Sequence, residues 1–279
     1  MSITLPRFQA TRYVQPLREG GSLPAVVDTD GGGLFVVKFR GAGQGAKVLV
    51  AEIIAHGIAT TIGLPVPELA IIDLPDRFGQ SEPDSEIQDL LKASRGMNIG
   101  LRYMDGAFNF DPVAAHELID GPFAASLVWL DAFITNPDRT ARNPNLMVWQ
   151  RKPWLIDHGA ALYMHYDWPS VTDTRTATPF PLIKQHVVLL RAGDLESADR
   201  AAVAALTDEV LQSIMASVPD ELLMDPLTGD DSADAGSARA RYVAYLRGRR
   251  KASAGFVATA VEARDALRAA PSQPYTARR

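Results

Sequence analysis

Apolar positions fall into two regimes along the chain, short β-favouring clusters first and helically spaced positions later. Clusters at Thr11 to Leu17, Pro24 to Asp28 and Leu34 to Phe39 predict three strands. Gly20-Gly21-Ser22 separates the first pair and Asp30-Gly31-Gly32-Gly33 the second, and both breaks offer the positive φ of tight turns. An antiparallel three-strand unit is expected. From Lys47 the period lengthens: Val48, Ile53, Ile54, Ile58 and Ile62 predict a half-buried helix, closed by Gly63 and barred from continuing by Pro65. Glu68 to Leu74 and Asn98 to Met104 read as further strands on either side of a polar insertion around Asp76 to Asp89. The order is β-β-β-α-β-β.

Beyond Asp105-Gly106 the pattern turns mostly helical, with Pro122 to Thr135 placing Phe123, Leu127, Leu130 and Ile134 on one side. Leu146 to Trp149 and Trp154 to Ile156 are two short strands joined by the polar turn Gln150-Arg151-Lys152-Pro153. Helices are expected from Leu195 to Val218 and Ala238 to Leu246, with an acidic loop at Gly229 to Asp234 and a frayed tail from Pro271. The class is therefore α+β: an antiparallel-sheet part with one helix over 1–104, a mostly helical part over 105–255, and a C-terminal helix and tail over 256–279.

A length of 279 residues suits two lobes sharing a cleft, and the formal net charge of -5 argues against a duplex nucleic-acid surface. Phosphate handling must then be local. There are no cysteines, which excludes disulfides, zinc-thiolate sites, iron-sulfur clusters and thiol nucleophiles. No stretch approaches the roughly 18 to 20 apolar residues of a membrane helix, and the N-terminus shows no targeting pattern. A cytoplasmic protein is the expectation.

Lys38 ends an apolar run, Leu34 to Phe39, where an isolated charge is costly and a partner or ligand is required. Glu52, on the following helix, is the partner to expect, and a purely structural ion pair explains the two equally well. Asp138 precedes Asn143 by five residues, the spacing that sets an acceptor-orienting carboxylate and a Mg²⁺ ligand on one loop in kinases. Asn145 is the alternative ligand, because it stands directly before the strand. After the hairpin, Trp154-Leu155-Ile156-Asp157-His158-Gly159 ends a strand in Asp-x-Gly, the position of a metal-binding aspartate. Gly20, Gly21 and Ser22 offer bare amides to phosphates, and Tyr103 and Met104 occupy the joining segment where adenine could pair with backbone. The five histidines show no H-E-x-x-H spacing, and no Gly-x-Ser-x-Gly occurs. Arg247 to Lys251 is a basic run at a helix end.

Asn136-Pro137-Asp138-Arg139-Thr140-Ala141-Arg142-Asn143-Pro144-Asn145-Leu146, Trp154 to Ala160 and Val37 to Gly45 resemble the HipA-like kinase family. The resemblance covers about Thr11 to Leu246 and implies a bilobal protein-kinase-like fold, ATP and Mg²⁺ as cofactors, and a serine/threonine kinase activity. It implies that Lys38 contacts the nucleotide phosphates, Glu52 fixes Lys38, Asp138 is the catalytic aspartate, and Asn143 and Asp157 hold Mg²⁺. Asn136-Pro137-Asp138 departs from the H-R-D of many kinases, and the N-terminal region of the family's toxins has no counterpart ahead of Thr11, so a toxin role is not expected. Family toxins are silenced by phosphorylation in the ATP loop, which makes Ser22 the residue for self-modification. A nucleotide-binding scaffold without activity, AMP transfer, or a small-molecule acceptor are the competing functions. Neither acceptor nor partner protein is written in these residues.

Overall fold

The computed structural model describes residues 4–17, 23–43, 45–80, 82–226 and 232–270. The Gly20-Gly21-Ser22 turn lies outside them. Strands β1 (Arg7–Pro16), β2 (Ala25–Thr29) and β3 (Gly33–Lys38) lead into helix α1 (Ala46–Thr61), followed by β4 (Leu69–Leu74), α2 (Ser85–Ala93) and β5 (Gly96–Arg102). The strands form a closed barrel in the order β1-β2-β3-β5-β4, where an antiparallel sheet is expected. Closure comes from a parallel pairing of Arg7, Phe8 and Gln9 with Ile71, Ile72 and Asp73, while the other four pairings are antiparallel.

The period-2 alternation of β4 divides its side chains cleanly. Ala70, Ile72 and Leu74 join Val27, Phe35 and Val37 in the core inside the barrel, whereas Leu69 and Ile71 join α1 and the later helices. On β5 the inward positions are Asn98 and Gly100. A Cβ on Gly100 would lie 2.7 Å from Ile72 and 3.0 Å from Phe35, so the barrel closes because that residue has none.

Two expectations change here. The polar insertion contains a second helix, α2, started by Asp84, whose carboxylate accepts from the N–H groups of Glu86 and Ile87, and held by buried Ile87 and Leu91. Helix α1 is buried on nearly all sides rather than half-buried, since it is packed between the barrel and later helices.

A short strand β6 (Phe108–Asn109) follows, then α3 (Gly121–Phe133), β7 (Leu146–Trp149) and β8 (Lys152–Leu155); the three strands form a second antiparallel sheet. Next come α4 (Asp173–Thr176), α5 (Leu195–Ala205), α6 (Asp208–Ala216), α7 (Asp220–Leu223), α8 (Ala235–Lys251) and α9 (Ser253–Ala269). The helical stretch expected over Leu195 to Val218 divides into α5 and α6, because Thr207 accepts the N–H of Val210 and caps α6, with Asp208 and Glu209 in its first turn. No helix among the described residues is long and apolar enough to cross a membrane.

Candidate functional site

Lys38 is the last residue of β3 and pairs with Ile99 of β5, which fixes its backbone in the barrel wall. Its ammonium, only 7% exposed with the rest of the residue, donates to Glu52 of α1 and to Asp157 Oδ1 at 2.6 Å. Burial works against the lysine charge, yet Glu52 and then Asp157 outweigh it, so its pKa lies above the ordinary lysine value. Glu52 is buried too. Burial opposes its carboxylate, but Lys38 and then the His158 side chain hold its pKa well below the usual range, and the His158 backbone N–H also donates to Oε1 at 2.7 Å. Asp157 is different: nearly half of its side chain, 45%, is exposed, so this carboxylate faces outward while the other two groups do not.

The segment after β8 is shaped for that contact. Asp157 sits at φ 54°, a left-handed conformation that costs a non-glycine residue roughly 1 to 3 kcal/mol and persists only where surroundings enforce it. Gly159 follows, and a Cβ there would lie 2.5 Å from Val48 of α1. The missing side chain lets α1 approach closely enough for Glu52 to grip both Lys38 and the His158 backbone.

Asp138 lies on the loop between α3 and β7, half-buried, and Oδ2 accepts from Asn143 Nδ2 at 2.8 Å and Asn145 Nδ2 at 3.1 Å. Asn143 is exposed and Asn145 is buried. The amide of Asn145 also reaches the Asp157 carbonyl at 3.4 Å, which links the Asp138 loop to the Lys38 cluster through one side chain. The structure thus brings together Lys38, Glu52 and Asp157, and joins Asp138, Asn143 and Asn145 to them. Tyr103 and Met104 directly follow β5; the Tyr103 N–H is already spent on the Leu34 carbonyl, and the Met104 carbonyl accepts from Ala107.

Four further residues hold the Asp138 loop and were not among the candidates. Asp131, fully buried in α3, accepts from Arg139 Nε at 2.6 Å, His186 Nε2 at 2.9 Å and Asn136 Nδ2 at 3.0 Å. Arg139 in turn donates to the carbonyl of Asn145, and Asn136 Oδ1 accepts the Asp138 N–H at 3.1 Å. This buried cluster braces the loop from beneath. Its signal was in the sequence: an aspartate in the apolar helix Leu127-Val128-Trp129-Leu130-Asp131 needs a buried cation.

The buried groups set an acid limit on stability. Burial, and then Lys47, pushes the His165 imidazole down to about 3, and burial also lowers His186 although Asp131 opposes it. The unfolded chain takes up those protons near pH 6.5 and the folded chain does not. The His165 contribution is therefore complete above pH 6.5 and is lost as pH falls toward 3, at about 1.4 kcal/mol per pH unit, and His186 acts in the same direction. Thermal melts should show a flat Tm from pH 8 to 7 and a decline below 6.5, shallower in His165→Gln. An unchanged slope in a folded His165→Gln protein would show that this imidazole is not held neutral.

Comparison with known proteins adds a family and a fold. A family model described as HipA-like kinase matches residues 11–235. Among solved structures the chain is similar to a Helicobacter pylori proinflammatory kinase, CtkA, at a TM-score of 0.55 and 11% identity, covering 95% of this chain and 100% of that one. At that identity the likeness concerns fold alone, a mixed α+β arrangement. No curated protein matches the chain.

Proposed function

The chain belongs to the HipA-like kinase family, and on that premise we propose that it is an ATP- and Mg²⁺-dependent phosphotransferase acting on a protein serine or threonine hydroxyl. The observation that carries this reading is the Lys38 ammonium between buried Glu52 and outward-facing Asp157, joined through Asn145 to Asp138. In this reading residues 1–104 and 105–255 are the two lobes, and 256–279 a C-terminal extension.

Phosphoryl transfer asks for positioning and charge more than for covalent chemistry. Lys38, fixed by Glu52, presents its charge to the nucleotide phosphates. Asp138 accepts the hydrogen bond of the acceptor hydroxyl and takes its proton as the new P–O bond forms and the bond to the ADP leaving group breaks. Gly20, Gly21 and Ser22 cover the phosphates, and Tyr103 and Met104 line the base. Asn143 and Asp157 would hold Mg²⁺, with Asn145 as the alternative to Asn143.

The donor set fits that ion. A carboxylate with an amide oxygen is a hard-oxygen pair, and among the described residues no group of three or more His, Cys, Asp or Glu forms a cage. Mg²⁺ is characteristically bound by one or two carboxylates with phosphates and water completing its shell. When bound, the ion supplies positive charge across the phosphate oxygens.

Incubation with Mg²⁺ and ATP labelled at the α or the γ phosphate, followed by intact mass, tests the proposal. Transfer of γ label to protein is expected. Transfer of α label would make the enzyme an AMP transferase, and absence of both would leave a nucleotide-binding scaffold. Mg²⁺-ATP at about 100 times Kd should also stabilise the fold by about 2.7 kcal/mol, read as a rise of several degrees in Tm. A flat Tm at millimolar Mg²⁺-ATP would remove nucleotide binding, and the proposal with it.

A further inference from the structure

The basic run at the end of α8 divides by direction. Arg249 is fully buried and donates to the carbonyls of Ala132, Phe133, Thr176 and Thr178. Arg247, Arg250 and Lys251 instead line a cavity of about 590 Å³, together with Asp199 and Arg200 of α5, Asp208 of α6 and Ser253 of α9. Both carboxylates there are engaged. Asp199 accepts the Trp129 indole N–H at 2.7 Å, and Asp208 accepts from Arg247 at 3.0 Å and Arg250 at 2.7 Å. Arg200 and Lys251 are exposed. The cavity thus gathers four cations against two carboxylates on a chain whose formal net charge is -5.

The same cavity receives the start of α9, a helix of 17 residues with no side-chain cap and no acidic residue in its first turn. Its first turn therefore brings no carboxylate of its own to the cavity. Ser253, its first residue, is only 6% exposed, lines the cavity, and its hydroxyl has no hydrogen-bond partner among the described residues. A hydroxyl that lines the cavity and has no protein partner is available to a ligand in exchange for water.

We propose that this cavity binds a phosphate dianion, either free or as a monoester. Three phosphate oxygens can take the Ser253 hydroxyl, the helix N–H groups, the Lys251 ammonium and the guanidinium fork of Arg200 or Arg247 at once, more than a carboxylate's two oxygens can satisfy. None of α5, α6, α8 or α9 contributes Lys38, Glu52, Asp138, Asn143, Asn145 or Asp157, so this site is separate from the nucleotide site. It stands whether or not the chain transfers phosphate.

Isothermal titration in a low-salt, phosphate-free buffer tests it with inorganic phosphate, a short phosphoserine peptide and the same peptide unphosphorylated. The phosphorylated probes should bind saturably, and the unphosphorylated peptide should not. Affinity should fall at least tenfold in Arg200→Ala/Lys251→Ala and also in Ser253→Ala, with stabilisation by Mg²⁺-ATP retained in each. A phosphopeptide tighter than inorganic phosphate assigns the site to a phosphorylated partner residue, and equal affinities assign it to free phosphate. Absence of binding by both phosphorylated probes, or equal binding by the wild type and the double variant, overturns the proposal. Arg200 and Lys251 are exposed, so an unchanged Tm confirms that the double variant reports binding rather than folding.

Discussion

Lys38→Met should cost the protein both phosphoryl transfer and stability, and adding Glu52→Gln should restore only the second. Removing the ammonium leaves Glu52, 1% exposed, as a buried carboxylate without its cation. Breaking a buried pair from one side costs about 3 to 5 kcal/mol, or roughly 10 °C in Tm for a chain of this size. Asp157 is spared much of that cost because water reaches its side chain. Neutralising Glu52 removes the stranded charge, so the double variant should recover most of the Tm. Transfer should stay at least a hundredfold down in both, since neither variant has a cation for the phosphates. Melting curves and a labelled-ATP assay on the three proteins separate the effects. Wild-type transfer by a folded Lys38→Met protein would return Lys38 to a structural ion pair.

The sequence made the local elements legible and left the long-range ones hidden. Alternation in Leu34 to Phe39 and helical spacing from Lys47 identify β3 and α1, because period is a property of neighbours. The barrel closure is not of that kind: Arg7 to Gln9 pair with Ile71 to Asp73 across more than sixty residues, and nothing in either segment's pattern names the other. Helix α2 was obscured for another reason, since nine residues with two buried apolar positions make a weak stripe within a polar stretch.

In the site, the order of lysine, glutamate, Asp-x4-Asn and Asp-x-Gly was readable, and Lys38, Glu52 and Asp157 do meet. The buried brace of Asp131, Arg139 and His186 was not read, because it joins three separate segments. Only the anomaly of a lone aspartate in an apolar helix announced it. Left-handed φ at Asn145 and Asp157 was equally hidden, as neither residue is a glycine.

Asn143→Ala should raise the Mg²⁺ requirement and cut turnover by about 10- to 100-fold, by analogy with the loss of other groups that orient a metal site, while Asn145→Ala should mainly lower stability. Spacing from Asp138 favours Asn143, and position before the strand favours Asn145. The hydrogen bonds now add weight to the first. Asn145 is buried at φ 47°, spends its amide N–H groups on Asp138 and the Asp157 carbonyl, and gives its own carbonyl to Arg139 and to the Ile156 N–H. Those are the contacts of a residue that ties the loop to the strand end; alanine keeps the backbone carbonyl bonds but loses both amide bonds, which leaves Asp138 and the Asp157 carbonyl each short of a donor at about 1 to 3 kcal/mol. Asn143 is exposed and among the described residues its side-chain amide bonds only Asp138, so its oxygen can turn to a cation beside the nucleotide. Pro144 between them has a fixed φ, which keeps the two side chains from exchanging places. Initial rates over a Mg²⁺ titration, set beside melting curves for both variants, decide the matter. If Asn145→Ala shifts the Mg²⁺ dependence and Asn143→Ala leaves it unchanged, the ligand is Asn145, and position before the strand rather than spacing from Asp138 locates the metal.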